Sequence, residues 1–476
     1  MSLRSNVLKS VTWTLGTNFT GLVINLVLGV WLARILGPDS YGLVGMVLVI
    51  TGFAKLLQDF GFGEAIIQKQ DLRQEDYSSV FWFNMLVSLV LSLATFLCAP
   101  LIASFYDRPE LIPITQALSI IFLLNAVAIV QRIRLEKEYK FKQLGIADVI
   151  SSLISVVMAL VAALNGLGVW SLVILHLVKA VAYDVVVWLY SGWLPSFTMK
   201  KKSLLGLSRF GLALFLNGLF ENLASGIDKL LIGKSLGEGP LGVYGKSVST
   251  VRMPVMQLMS ALGRVIYPAF SQIQKNKDKI YAVYVQMVEV VTILIFPIML
   301  GFVVFGDEIV LGLFGEKWID MIPVFKILSL TTGLIPFNIL VDQVVKSQGN
   351  VKYLNYITFI EKPLTIIAVI IGIWFGSIVT VAYSLAIGMI FTFLVKSYIA
   401  MLTLEHSMWK LLVEHIKATR ILWLPVAAAI CLYLFGLMDD VIIKLVVLAS
   451  TGALSIGIFW KRLLVPIYHQ VMSFRK

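Results

Sequence analysis

Ionisable and amide side chains stand where the chain is otherwise apolar. Glu221 and Asn222, then Asp228 and Lys229, lie in one apolar run, and Arg252 lies in the next. Asn18 and Asn25, seven apart on one helix face, fall in the first run, and Lys55, Gln58 and Asp59 fall in the second. A charge held inside a membrane costs about 2.5–3.5 kcal/mol on insertion scales, so each of these groups needs a partner or a wet cavity. Glu221 and Arg252 can pair across a hairpin, either as a structural lock or as part of a substrate-facing surface. Lys55 and Asp59 are spaced i,i+4 and form a local pair. Asp228 and Lys229 are neighbours, pointing about 100° apart on a helix, and do not neutralise each other side by side. For Lys179, Asp184, Asp342, Glu361 and Lys362 a structural or interfacial role is expected. The basic segment from Arg132 to Lys142 fits either a headgroup contact or a solvated connection.

Recognised catalytic patterns do not accompany these groups. The Gly-Lys-Ser tripeptides at Gly233 and Gly245 lack the earlier glycine of a phosphate-binding loop, since Asp228 and Pro240 stand there. His176, His406, His415 and His469 are scattered without the spacing of a zinc helix, and there is no Gly-x-Ser-x-Gly elbow. No metal site and no catalytic residue are expected. Cys98 and Cys431 lie in apolar runs and suggest no disulfide framework.

The elements that carry these residues are set by composition. Hydrophobic residues make up 59% of the 476 positions and charged ones 14%, with mean hydropathy +0.90. That excludes an ordinary soluble domain and predicts an all-α integral membrane protein. The apolar runs divide into about fourteen segments of roughly twenty residues, too long and too continuous for barrel strands. Most of the 39 Lys and Arg fall on one set of connections, and Arg34, Arg108, Lys234 and Lys317 are the clear ones on the other. Basic residues mark the cytoplasmic side, so both termini are expected there. The same bias explains the net charge of +12 without nucleic acid.

One loop occurs twice. Leu36-Gly37-Pro38-Asp39-Ser40-Tyr41-Gly42 is echoed 200 positions later by Leu236-Gly237-Glu238-Gly239-Pro240-Leu241-Gly242, and Gly45 and Gly245 keep the offset. The flanking runs enter the membrane in the same direction, so the repeat is parallel. The expected organisation is an N-lobe at 1–200, a C-lobe at 201–403, each of six helices around a central cavity, and two further helices with a cytoplasmic tail at 404–476. Spans one, two, seven and eight hold much of the intramembrane polarity, which describes a solvated cleft between lobes.

Several blocks resemble the polysaccharide-transporter branch of the multidrug/oligosaccharidyl-lipid/polysaccharide flippase superfamily, most closely its Wzx-type exporters of colanic-acid or teichuronic-acid units. They are Leu36–Gly42, Asp59-Phe60-Gly61-Phe62-Gly63 with Ala65-Ile66-Ile67-Gln68, Val80-Phe81-Trp82-Phe83-Asn84 and Gly168-Val169-Trp170-Ser171-Leu172-Val173. The second half adds Ile227 to Lys234 and Val265 to Ser271. The resemblance spans about residues 5 to 400. It implies alternating access and an undecaprenyl-diphosphate-linked oligosaccharide as substrate, moved across the bacterial cytoplasmic (inner) membrane for surface polysaccharide biosynthesis. It further implies that Arg252, Lys55 and Lys229 receive phosphate charge, that Glu221 and Asp228 bond sugar or respond to a coupling ion, and that Asn222, Asp59, Asn18 and Asn25 line the same cavity. No cofactor is implied, although coupling to a proton or sodium ion is an expectation. Membrane lipids, a polysaccharide polymerase and glycosyltransferases are the implied partners. A cation-coupled multidrug exporter of the same fold and a membrane glycan polymerase are the alternatives. The short outer connections disfavour the polymerase.

Overall fold

The computed structural model describes residues 3–59, 61–69, 71–205, 207, 226–349, 351–435 and 440–473, and every regular element among them is a helix. Packing divides the chain into two compact units, Met1–Gly245 with Leu313–Lys317, and Lys246–Gly312 with Trp318–Lys476. This division rests on packing, whereas the lobe limits at 200 and 403 rest on the repeat.

The first unit contains α1 (Leu3–Leu36), α2 (Pro38–Asp59), α3 (Phe62–Gln68), α4 (Gln74–Leu97), α5 (Ala99–Tyr106), α6 (Leu111–Ser119), α7 (Ile121–Lys137), α8 (Phe141–Leu164), α9 (Trp170–Ser191) and α10 (Ile227–Leu236). Helix α11 (Glu238–Gln272) begins in this unit and continues into the second. There follow α12 (Lys277–Val304), α13 (Gly306–Phe314), α14 (Met321–Thr332), α15 (Ile335–Ser347), α16 (Val351–Trp374), α17 (Ile378–Leu404), α18 (Met408–Ala418), α19 (Arg420–Leu434) and α20 (Val441–Ser473).

These helices are patterned for lipid. The buried face of α4 carries Ser79, Asn84, Ser88, Ser92 and Thr95, while Leu86, Leu89, Val90 and Leu93 are exposed. Hydrocarbon solvates the large apolar side chains, and small residues inside let helices approach closely. One close approach of this kind joins α1 to α8. A Cβ on Gly145 would lie 2.3 Å from the Thr17 hydroxyl.

Among the described residues eight helices or helix pairs are long and apolar enough to cross a membrane, or up to ten if two bent pairs are each one span. The expected seventh span lies mostly outside the described residues. The repeat is visible in element order. In the first unit α4 is followed by the short α5, a span broken at Ile120 (α6 and α7), and two long helices. In the second α12 is followed by the short α13, a span broken at Gly333 and Leu334 (α14 and α15), and two long helices.

One charge assignment is corrected. The census of basic connections includes Lys396 on the cytoplasmic side, but it sits inside α17 with its side chain 7% exposed. It survives there because Glu361 lies 2.8 Å and Asp342 3.3 Å from its Nζ. Glu361 is also 3.8 Å from Lys362. The structural role expected for Asp342, Glu361 and Lys362 is what this arrangement provides, tying α15, α16 and α17 together. Lys444 of α20 is likewise buried and pairs with Glu308 of α13.

Candidate functional site

The twin loops come together. Helix α1 ends at Leu36, Gly37 takes a left-handed φ of 78°, and Pro38 opens α2. Helix α10 ends at Leu236, Gly237 has φ 90°, and Glu238 opens α11. A side chain at either glycine would be strained, which is why the turn uses glycine in both copies. Each helix start then packs on a glycine of the other. A Cβ on Gly42 would lie 1.8 Å from the Glu238 carbonyl oxygen, and one on Gly242 would lie 2.0 Å from that of Pro38. Residues 38 and 42 thus exchange roles with 238 and 242, as a local two-fold axis requires.

The four basic residues that the charge pattern assigns to the outer side all gather around this crossing. Arg108 pairs with Glu238 at 2.8 Å and Lys234 with Asp107 at 2.7 Å. Lys317 donates to the Ile35 carbonyl at 2.7 Å, and Arg34 packs beside Gly315. Lys234 holds the Asp107 carboxyl below the usual carboxylate range through its hydrogen bond and charge.

The residues expected to bind substrate fare unequally. Glu221 and Asn222 lie outside the described residues, so the pairing of Glu221 with Arg252 does too. Asn18 and Asn25 are positions of α1, and Lys55 and Asp59 are positions of α2, but their side chains lie outside what the structure describes. Asp228, at the start of α10, accepts a hydrogen bond from Tyr244 at 2.7 Å through Oδ2, and its buried Oδ1 has no partner among the described residues. Lys229 is half-buried and Arg252 is exposed on α11. Gln58 is occupied in packing: its amide donates to Ser88 and to the Phe122 carbonyl, both at 2.8 Å.

The first unit also holds an open cavity of about 610 Å³ with several charged and polar side chains in its lining. Its walls come from α1 (Thr17), α2 (Thr51), α7 (Asn125, Arg132, Glu136), α8 (Phe141, Asp148) and α9 (His176, Lys179, Tyr183). Arg132, Asp148 and Lys179 are exposed although they belong to membrane-spanning helices. Arg132 lies 3.7 Å from Glu136. Neither Lys179 nor Asp148 makes an ion pair within 4 Å among the described residues. Exposed intramembrane charges around a cavity mark a ligand path by default. Lys179 lines this cavity. Asp184, on another face of α9, is buried and does not line it.

Sequence reasoning passed over Asp148, Glu136, Asn125, His176 and Tyr183. A signal was present on α9, where His176, Lys179 and Tyr183 follow the helical period and share one face. On α8 Phe141, Gly145 and Asp148 do the same.

Comparison with known proteins agrees with this architecture. The profile of a family described as polysaccharide biosynthesis protein matches residues 31–323. The teichuronic acid biosynthesis protein TuaB of Bacillus subtilis is 24% identical over 400 residues, covering 84% of this chain and 83% of its own length. The lipopolysaccharide biosynthesis protein WzxC of Escherichia coli is 27% identical over 378 residues, covering 77% and 76%. Among solved structures, the lipid II flippase MurJ in an inward closed conformation superposes with TM-score 0.73 at 13% identity, covering 95% of this chain and 100% of its own. An inward-facing multidrug resistance transporter of the MOP superfamily gives 0.64 at 18%, covering 81% and 94%. At these identities the structural likeness is one of fold.

Proposed function

Since the chain belongs to the polysaccharide biosynthesis protein family, we propose that it is a flippase that carries undecaprenyl-diphosphate-linked oligosaccharide units across the bacterial cytoplasmic membrane for surface polysaccharide assembly. The observation that carries the reading is the cavity lined by Arg132, Asp148 and Lys179, set in a chain whose family match covers residues 31–323. A wet, charged recess inside membrane-spanning helices gives a polar headgroup somewhere to go while its tail stays in lipid. Lipid-only anchoring would not need one.

Two six-helix lobes, 1–200 and 201–403, alternate between inward-open and outward-open forms, with about fourteen spans in all. Both termini are cytoplasmic, following the positive-inside bias. In this reading the reciprocal glycine crossing, with its ion pairs, belongs to the outer gate. Arg252, Lys55 and Lys229 meet the diphosphate. No covalent step and no cofactor are needed, and a proton or sodium gradient supplies the drive. A polymerase and glycosyltransferases of the same surface polysaccharide act before and after it. The multidrug-transporter fold is equally compatible with the architecture, but the family match selects the polysaccharide reading.

Deleting the gene tests this. The surface polysaccharide should disappear and its lipid-linked unit should accumulate on the cytoplasmic leaflet. A deletion strain with normal surface polysaccharide and no accumulated intermediate would refute the proposal. Arg252→Ala should impair transfer while membrane insertion is retained; unchanged transfer removes Arg252 from the site.

A further inference from the structure

The charge balance of the cavity in the first unit separates two parts of the substrate. Resting on the flippase reading, we propose that this cavity takes the glycan of the lipid-linked unit and that its diphosphate binds elsewhere. The walls contribute two permanent cations, Arg132 and Lys179, and two carboxylates, Glu136 and Asp148. A diphosphate brings concentrated negative charge, and two carboxylates at the same wall oppose it. A polyol suits this wall instead. Sugar hydroxyls both donate and accept, so they need acceptors and donors side by side, which Asp148, Glu136, Asn125, Lys179 and Arg132 supply. Thr17 and Thr51 add hydroxyls, and Phe141 and Tyr183 offer apolar surface for the C–H faces of a pyranose.

Asp148 and Lys179 are the sharpest part of the fit. They stand on neighbouring helices α8 and α9, line the same space, and are exposed to it. Yet they make no ion pair within 4 Å with each other. A group lodged between them bonds both at once, with one hydroxyl donating to Asp148 and another oxygen accepting from Lys179. The volume, about 610 Å³, sits within the range of about 300–1,000 Å³ of small-molecule sites and admits more than one sugar ring. Specificity for a particular repeat unit then resides in α7, α8 and α9.

The test uses full-length protein in lipid nanodiscs and two probes. One is the free oligosaccharide released by mild acid from the intermediate that accumulates in the deletion strain. The other is undecaprenyl diphosphate without sugar. Asp148→Asn and Lys179→Gln should each weaken oligosaccharide binding by about tenfold or more, as expected for loss of a charge-assisted hydrogen bond, and leave undecaprenyl diphosphate binding within twofold. Should Asp148→Asn fail to fold, Lys179→Gln and Thr51→Val carry the test, with the thermal midpoint as the check on structure. Unchanged oligosaccharide binding, or equal weakening of both probes, overturns the assignment. Wild-type protein that binds neither probe overturns the flippase reading itself, an outcome distinct from the other two.

Discussion

Gly42 and Gly242 leave no space for a methyl group, because the atoms in the way are backbone carbonyls that cannot rotate aside. Alanine at either position should therefore part the two helix starts, at about 1–3 kcal/mol or more for overpacking a tight contact. Gly45→Ala is the matched control, since its Cβ would meet Leu241 at an ordinary 3.6 Å. Thermal unfolding in detergent should show lowered midpoints for the first two variants and little change for the third. The ion pair beside the crossing adds a pH dependence. Lys234 lowers the folded-state pKa of Asp107, so the tie is complete above the unfolded carboxylate value of about 3.9 and is lost as pH falls on through the lowered folded-state value. Hydrogen exchange near residues 105–110, corrected for intrinsic rate, should quicken on acidification to about pH 3, and Asp107→Asn should abolish that response. The two loops were legible as a repeat because their glycines recur with a fixed offset. Their contact was not, because nothing local in residues 36–42 says that residue 238 lies against them. Asp148 and His176 were passed over for a related reason: a lone polar residue in an apolar run looks the same whether its helix turns it toward a cavity or toward a neighbour.

Helices were the most legible level of all. A continuous apolar run of about twenty residues has only one way to satisfy its backbone in hydrocarbon, and α4, α8, α9, α12, α16 and α17 follow directly. Breaks within spans were less accessible. The interruption at Ile120 carries neither proline nor glycine, so composition gives no warning of it. Lys396 was misplaced because charge counting treats a lysine near the end of a run as loop, whereas two carboxylates on neighbouring helices hold it in α17. Removing that lysine leaves Asp342 and Glu361, each less than a third exposed, to repel each other, with Lys362 at 3.8 Å from Glu361 as a weaker counter-charge. Lys396→Ala should destabilise the second unit by about 3 kcal/mol, the scale for breaking a buried pair from one side. The triple replacement Lys396→Met, Asp342→Asn and Glu361→Gln should recover much of the loss. Thermal midpoints of the two proteins in the same detergent decide it; equal midpoints would mean that the cluster does not stabilise these helices.

At the scale of the whole molecule, orientation in the membrane is the property that the proposed transport direction depends on. Lys and Arg concentrate on one set of connections, and cytoplasmic loops are the ones that retain them. The turn between α8 and α9 and the turn between α16 and α17 should then both face outward. The turn between α7 and α8 and the turn after α11 should both face the cytoplasm. Each offers an exposed position for labelling: Leu167 and Phe375 on the first set, Tyr139 and Lys275 on the second. Native Cys98 and Cys431 are exposed and must be replaced first. With single cysteines introduced at the four positions, a membrane-impermeant maleimide should label Leu167→Cys and Phe375→Cys in right-side-out vesicles. Tyr139→Cys and Lys275→Cys should react only after the vesicles are opened. Equivalent turns from the two halves reporting the same side would make the repeat parallel, because an inverted pair would place them on opposite faces. Leu167 and Phe375 on opposite faces would therefore remove the common direction of the two halves, and with it the basis for moving a headgroup outward through them.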